Sequence, residues 1–428
     1  MKNVLVFSAL FLMIGLSMQS CTKDRCEQEI SYVQQTPVFL QPSEYRIDIV
    51  SETPKSLERP GKIYFYNNFV FINELRKGIH VIDNSNPESP INTAFIAIPG
   101  NIDMAVRGSI LYADSYTDLL AIDISSPQQP QLLNREEMVF PVHSQDANGA
   151  LLVYHEQELV TEVRDCSDNS FIRGDVVFFD QGFFPNAGNF GNMAEFSSQA
   201  AADAGGVGGS MARFTLAGSH LYTVDDNSLH TFSLQDPSKP QNVNTTQLGW
   251  GIETIFPYKD LLFIGSSTGM FIYGLSNPTS PNELSRFAHI SACDPVFVKD
   301  DLAYVTLRDG NFCEGFSNQL ELIDVSNPSN PVLLETFPMD NPHGLSISPS
   351  DELFLCEGKH GLKVFDVTKP RELDKNLLDR QRKIHAYDVI VMPGDRKVVM
   401  LIGNDGFYQY DYNNPKKLKL LSVIDVVR

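Results

Sequence analysis

Tryptophan occurs once in this chain of 428 residues, at Trp250, and cysteine six times. Positive charge is also scarce: 33 Lys and Arg stand against 53 Asp and Glu, a formal net charge of −20. That balance repels phosphate backbones and argues against nucleic acid as a partner. It selects no other partner, because acidic surfaces also keep exported proteins soluble. None of the nine His falls in a zinc-ligand spacing, and no Gly-x-Ser-x-Gly elbow marks a nucleophilic serine. A Ser/His/Asp site assembled from distant segments is still open, since its members need not be neighbours in sequence. The run Gly205 to Ser210 lacks both the following helix and the Lys-Ser/Thr ending of a phosphate loop, so its glycines read as a sharp return of the chain. Helical spacing is nowhere sustained. Past the N-terminus, no stretch is long and apolar enough to span a bilayer.

The N-terminus carries Lys2, an apolar run from Val4 to Met18, then Ser20 and Cys21. The run is short for a membrane span and has the layout of a secretory signal. Cys21 after a small residue resembles a bacterial lipoprotein cleavage site. The resemblance implies a signal peptide over 1–20, an acylated Cys21, a tether over 21–44, and an exported, lipid-anchored chain. Thr22 after the cysteine favours the outer membrane. A plain signal peptide with an incidental cysteine is the alternative. Setting Cys21 aside leaves five cysteines, an odd number, so at least one is free or bridges to another chain.

What is abundant is a repeated phrase: two or three apolar residues, often Asp, then a turn ending in Pro. It reads Val-Ile-Asp-Asn-Ser-Asn-Pro at Val81 to Pro87 and Ala-Ile-Asp-Ile-Ser-Ser-Pro at Ala121 to Pro127. It returns at Thr231 to Pro237, Ile272 to Pro278, Leu322 to Pro328, Val364 to Pro370 and Gln409 to Pro415. A weaker copy without Pro lies at Glu162 to Asp168. Around each copy, four short apolar runs are separated by Gly, Asp, Asn and Pro, the pattern of a four-stranded antiparallel sheet. Such sheets, apolar on both faces, pack radially around an axis. The expectation is an all-β, single-domain β-propeller over 45–428 with an insertion at about 181–210. Counting the weak copy gives eight blades; treating it as an excursion gives seven. Closure is expected from Tyr45 to Val50 completing the last blade beside Lys419 to Val427.

Several phrases, among them Leu322-Ile-Asp-Val-Ser-Asn-Pro328, Cys293 to Val298, Asn341-Pro-His-Gly-Leu345 and Gly209 to Arg213, resemble the LVIVD-repeat propellers of bacterial and archaeal cell surfaces. The resemblance implies a secreted or surface-anchored propeller. It carries no catalytic residues.

Strand order assigns the loops to two faces. Loops between second and third strands share one face, X, with the starts of the innermost strands; the Asp-x-Ser-x-Pro turns share the other, Y. Asp and Ser before Pro are ordinary turn chemistry. Face X collects the 181–210 insertion and the 307–318 loop, which Cys293 and Cys313 pin as a candidate disulfide. The innermost strands open with Lys62, Asp103, His143 or Ser144, Arg213, Glu253, Asp294, His343 and Asp388. Together these would rim the channel mouth and offer a site for a small anion, a sugar or Ca²⁺, or else form a solvated polar edge. No cofactor is otherwise expected. Trp250 and the Phe residues of the insertion could stack on a sugar, anchor a partner, or pack the loops down.

Three functions fit. The first is a non-enzymatic scaffold that binds a protein or glycan through face X. The second is a glycan-directed lyase or hydrolase using His343 and Asp294 as acid and base. The third is a structural lipoprotein subunit of an envelope complex.

Overall fold

The computed structural model describes residues 27–142, 144–165, 176–178, 196–197, 207–288, 295–308 and 318–427. Seven four-stranded antiparallel sheets form the blades, over 60–97, 104–136, 214–247, 252–288, 296–338, 345–381 and 388–425. In each, the order from axis to rim follows the sequence, and neighbouring innermost strands pack side by side around a ring that closes from blade 7 to blade 1. The count is therefore seven, not eight.

The weak repeat fails for a local reason. Leu151–Asp165 is one unbroken strand, without the turns a blade needs between its strands. It joins a three-stranded sheet in which Glu27–Leu40 lies between it and Val176–Phe178. The chain divides into two compact units accordingly, Met1–Val38 with Tyr154–Ala187, and Phe39–Val153 with Gly188–Arg428. The propeller is the second.

The repeated phrase has two structural uses. The Asp83, Asp123, Asp324, Asp366 and Asp411 carboxylates each accept the backbone N–H two residues on, at 2.6–2.9 Å, which folds the chain toward Pro. The turn carbonyls then receive hydroxyls from the preceding blade: Tyr112 donates to Pro237, Tyr222 to Pro278, Ser285 to Pro328 and Ser422 to Pro87, at 2.6–2.8 Å. The last of these joins blade 7 to blade 1. In all seven blades the pairing of third and outermost strands also slips once, leaving an extra residue such as Thr93, Val243 or Leu334 in the outermost strand. Such bulges raise the local twist. The core lies between blades and is built from fully buried third-strand residues such as Val81, Ala121, Phe232, Ile272, Leu322 and Val364.

Closure differs from the expected form. Blade 7 draws all four strands from the C-terminal segment. Val50–Glu52 instead pairs outside Ile91–Ala97 of blade 1. Tyr45 is buried on blade 2, its hydroxyl 2.8 Å from Thr117 Oγ1, and Arg46 holds both oxygens of Asp118 at 2.8 and 3.0 Å. A bidentate pair to a buried carboxylate outcompetes an edge position on blade 7. The ends are joined by a parallel bridge from Leu57 to Val426 and by a reciprocal amide pair, Asn84 to Gln409, at 2.7–2.8 Å.

Candidate binding face at the channel mouth

The insertion returns through the channel. Val207–Ser210 pairs antiparallel with the axial edge of Pro60–Tyr66, Val207 opposite Phe65 and Gly208 opposite Tyr64. Phe196–Ser197 pairs with Val207–Ser210 and lies against the innermost strands of blades 4 to 7. A two-stranded ribbon thus occupies the axis. Met211 and Ala212, both buried, lead from it to Arg213 at face X. Gly208 and Gly209, expected in a sharp return of the chain, instead belong to the extended strand Val207–Ser210, and Gly205 and Gly206 lie outside the described residues.

The ribbon changes what the polar mouth can be. Lys62 and Asp103 are buried and paired at 2.9 Å. The Asp103 carboxylate also accepts the backbone N–H groups of Met104 at 2.6 Å, Phe214 at 3.2 Å, and Arg213. A buried charge is tolerated when its lone pairs are used, and here one carboxylate joins blades 1, 2 and 3. Behind it, Asp114 Oδ1 accepts Asn101 Nδ2 and the N–H groups of Ile102 and Asp103 at 2.8–2.9 Å. Burial nonetheless pushes the Asp114 carboxyl up to about 6. Asp388 is fully buried at the start of blade 7's innermost strand, its Oδ1 accepting the Val389 N–H at 2.8 Å. Lys62, Asp103 and Asp388 line one cleft with Gly208, Met211 and Ala212, which is too tight to admit a water molecule. Ligand pockets usually take roughly 300–1,000 Å³.

Across the mouth, Arg213, Glu253, Arg308 and His343 form an arc over blades 3 to 6. Arg213 Nη2 pairs with Asp226 Oδ1 at 2.6 Å. Glu253 is half-buried between the fields of Arg213 and Arg308; burial pushes its carboxyl up to about 7, against the pull of the two guanidinium groups. Arg308 donates to His343 Nδ1, and the His343 Nε2–H donates to Asn341 Oδ1 at 2.9 Å. Arg has no acceptor, so this pairing puts the imidazole proton on Nε2. Burial, then Arg308 and His385, hold His343 well below the usual histidine range, and it is neutral near pH 7. Gly358 (φ +51°) makes room, since a Cβ there would lie 2.8 Å from both Asn341 Oδ1 and His343 Nε2.

Of the expected rim residues, Asp103, Arg213, Glu253, His343 and Asp388 do meet at the mouth, with Lys62. Ser144 does not: it is exposed beside a small turn in the segment between blades 2 and 3. Asp294, His143, Cys293 and Cys313 lie outside the described residues, and so does Cys21. Among the described residues, no group of three or more His, Cys, Asp or Glu is placed to hold a metal ion, and no helix is long and apolar enough to cross a membrane. Arg308 was missed in the sequence. It follows the second strand of blade 5, where other blades carry Leu75, Tyr116, Ser267, Glu357 and Gly403, so the repeat offers no signal there.

Three segments, 61–94, 102–135 and 291–338, match the LVIVD repeat. They cover blades 1, 2 and 5. Among solved structures, a functionally unknown protein from Desulfotomaculum acetoxidans is similar at 11% identity and a TM-score of 0.52, with 84% of this chain and 95% of that one covered. The periplasmic gluconolactonase of Pseudomonas aeruginosa is similar at 10% identity and a TM-score of 0.53, with 86% and 96% covered. Likeness at that identity shows the fold alone. No curated protein matches the chain.

Proposed function

From the premise that this chain is a β-propeller carrying LVIVD repeats, we propose that it is a binding scaffold, exported and anchored through Cys21, which engages a protein or glycan of the cell envelope through face X. The observation that carries this reading is the ribbon on the axis. It occupies the channel in which a propeller would enclose a small substrate, and leaves the face itself as the available surface. The alternative of glycan-directed catalysis at the mouth has less support. His343, its expected acid or base, is a neutral, buried side chain engaged by Arg308 and Asn341. The likeness to a gluconolactonase is one of fold and brings no site residues with it.

Oriented immobilisation tests the scaffold reading. The mature protein is coupled through Lys239→Cys on a Y-face turn, which leaves X free, or through Lys359→Cys on an X-face loop, which blocks it. Both positions are exposed. Binding of purified envelope glycans and envelope proteins is then followed by interferometry. Signal only in the first orientation is expected; signal in both, or in neither, rejects the reading. The anchor is checked separately by incorporation of an alkyne fatty acid, present in the parent and lost in Cys21→Ser.

A further inference from the structure

Trp250 is 76% exposed, more than any other large apolar side chain among the described residues. Its loop holds it there. Gly249 and Gly251 flank it with φ of +110° and +77°, a backbone region that side chains with a Cβ rarely adopt. A Cβ on Gly251 would sit 2.0 Å from Ser267 Oγ. The loop is also fastened on both sides. The Leu248 and Gly249 N–H groups donate to the Asn227 carbonyl at 2.8 and 3.3 Å, Ile252 N–H to Asp226 at 3.1 Å, and Ser267 N–H to the Gly251 carbonyl at 2.7 Å.

These bonds fasten the Trp250 loop between two X-face turns, one from blade 3 carrying Asp226 and Asn227, one from blade 4 carrying Ser267 and Thr268. Asp226 is itself held by Arg213 at 2.6 Å, with half of its side chain open to solvent. None of the other exposed large apolar residues falls in these loops. A tryptophan that anchors a protein partner normally sits in an apolar, water-excluding surround. Here the turns bonded to the loop on either side of the exposed indole carry hydroxyl, amide and carboxylate groups, with the Arg213 guanidinium on Asp226. That combination matches a pyranose, which has one face of C–H groups and an equator of hydroxyls that both donate and accept. The net charge of −20 disfavours polyanionic chains.

We propose that Trp250 is the stacking platform of a binding patch for neutral oligosaccharides on face X, with Asp226 and Arg213 as hydrogen-bonding partners for the sugar hydroxyls. The proposal rests on the reading of X as the binding face and gives that face a ligand class.

Because the chain has one tryptophan, its emission reports this loop alone. The mature protein is titrated with cello-, chito-, xylo-, manno- and maltohexaose, following Trp emission and, for variants, calorimetry. At least one sugar is expected to give a saturable spectral change. Its affinity should fall about tenfold or more in Trp250→Ala, a loss on the scale of one stacking contact, and largely recover in Trp250→Phe. Asp226→Asn should weaken binding with the emission change retained. An unchanged melting temperature in Trp250→Ala confirms the fold, as expected for an exposed side chain. No response to any of the five sugars, or equal binding by Trp250→Ala, overturns the patch. If an envelope protein still binds only when X is free, the scaffold reading stands without the sugar site. A sugar response that ignores immobilisation face would take the sugar site off face X and overturn the patch along with the scaffold reading.

Discussion

Glu253 sets the pH response expected at the mouth. It keeps its proton to about pH 7 in the fold, whereas the unperturbed carboxyl loses it near 4.5. Between those limits the folded state binds more protons than the unfolded one, so this group makes stability fall as pH rises across that window. Glu253→Gln removes the effect. Its melting temperature should exceed the parent's by about 2 °C at pH 8 and match it near pH 4.5, which thermal unfolding at the two values checks; a deficit at pH 8 would mean that attraction to Arg213 and Arg308 outweighs burial. His343 acts oppositely. Its lowered value makes stability fall as pH drops below about 6.5. At this scale the sequence allowed polar residues to be placed at strand starts. It did not indicate that Asp103 would collect Lys62 and two N–H groups from blade 3, because those donors come from segments 41 and about 110 residues away.

Among the elements, the ribbon was the least legible. A Gly-rich insertion reads as a surface loop, because nothing in it alternates strongly enough to declare a strand. Its strand character comes from the partner: Pro60–Tyr66 presents an unpaired edge toward the axis, and Val207–Ser210 satisfies part of it. Replacing residues 196–210 with a Gly/Ser linker should leave the seven blades folded and speed hydrogen exchange in peptides covering Pro60–Tyr66, with blade 2 and blade 3 peptides much less affected. Equal exchange in both proteins would show that the ribbon does not protect that edge. The segment 151–165, which runs into the weak copy at Glu162 to Asp168, misleads for a related reason. Its apolar runs match a blade's, but without Gly, Asn or Pro between them the chain continues as a single strand.

For the molecule as a whole, ring closure governs cooperativity. The junction between blades 7 and 1 carries the same hydroxyl-to-turn bond as the junctions from blade 2 to blade 5, Ser422 to Pro87, together with the Asn84–Gln409 pair and the Leu57–Val426 bridge. An open ring would expose the apolar sides of two blades at once. Deleting residues 419–428 removes the outermost strand of blade 7 and two of these links. It should lower the melting temperature on the order of 10 °C or more and broaden the transition, as measured by calorimetry. A sharp, unshifted transition would place the closure in the inner strands alone.

The division between sequence and tertiary structure follows the range of the interactions concerned. Turn chemistry, strand alternation and the spacing of the repeated phrase act over a few residues. They were enough to specify four-stranded blades, their radial packing, and the assignment of loops to faces X and Y. Seven rather than eight, the docking of Tyr45 on blade 2 and the filling of the axis by the ribbon depend on which edges and buried charges remain to be satisfied once the blades have assembled. Those partners lie tens to hundreds of residues apart, and only the folded ring brings them within bonding distance.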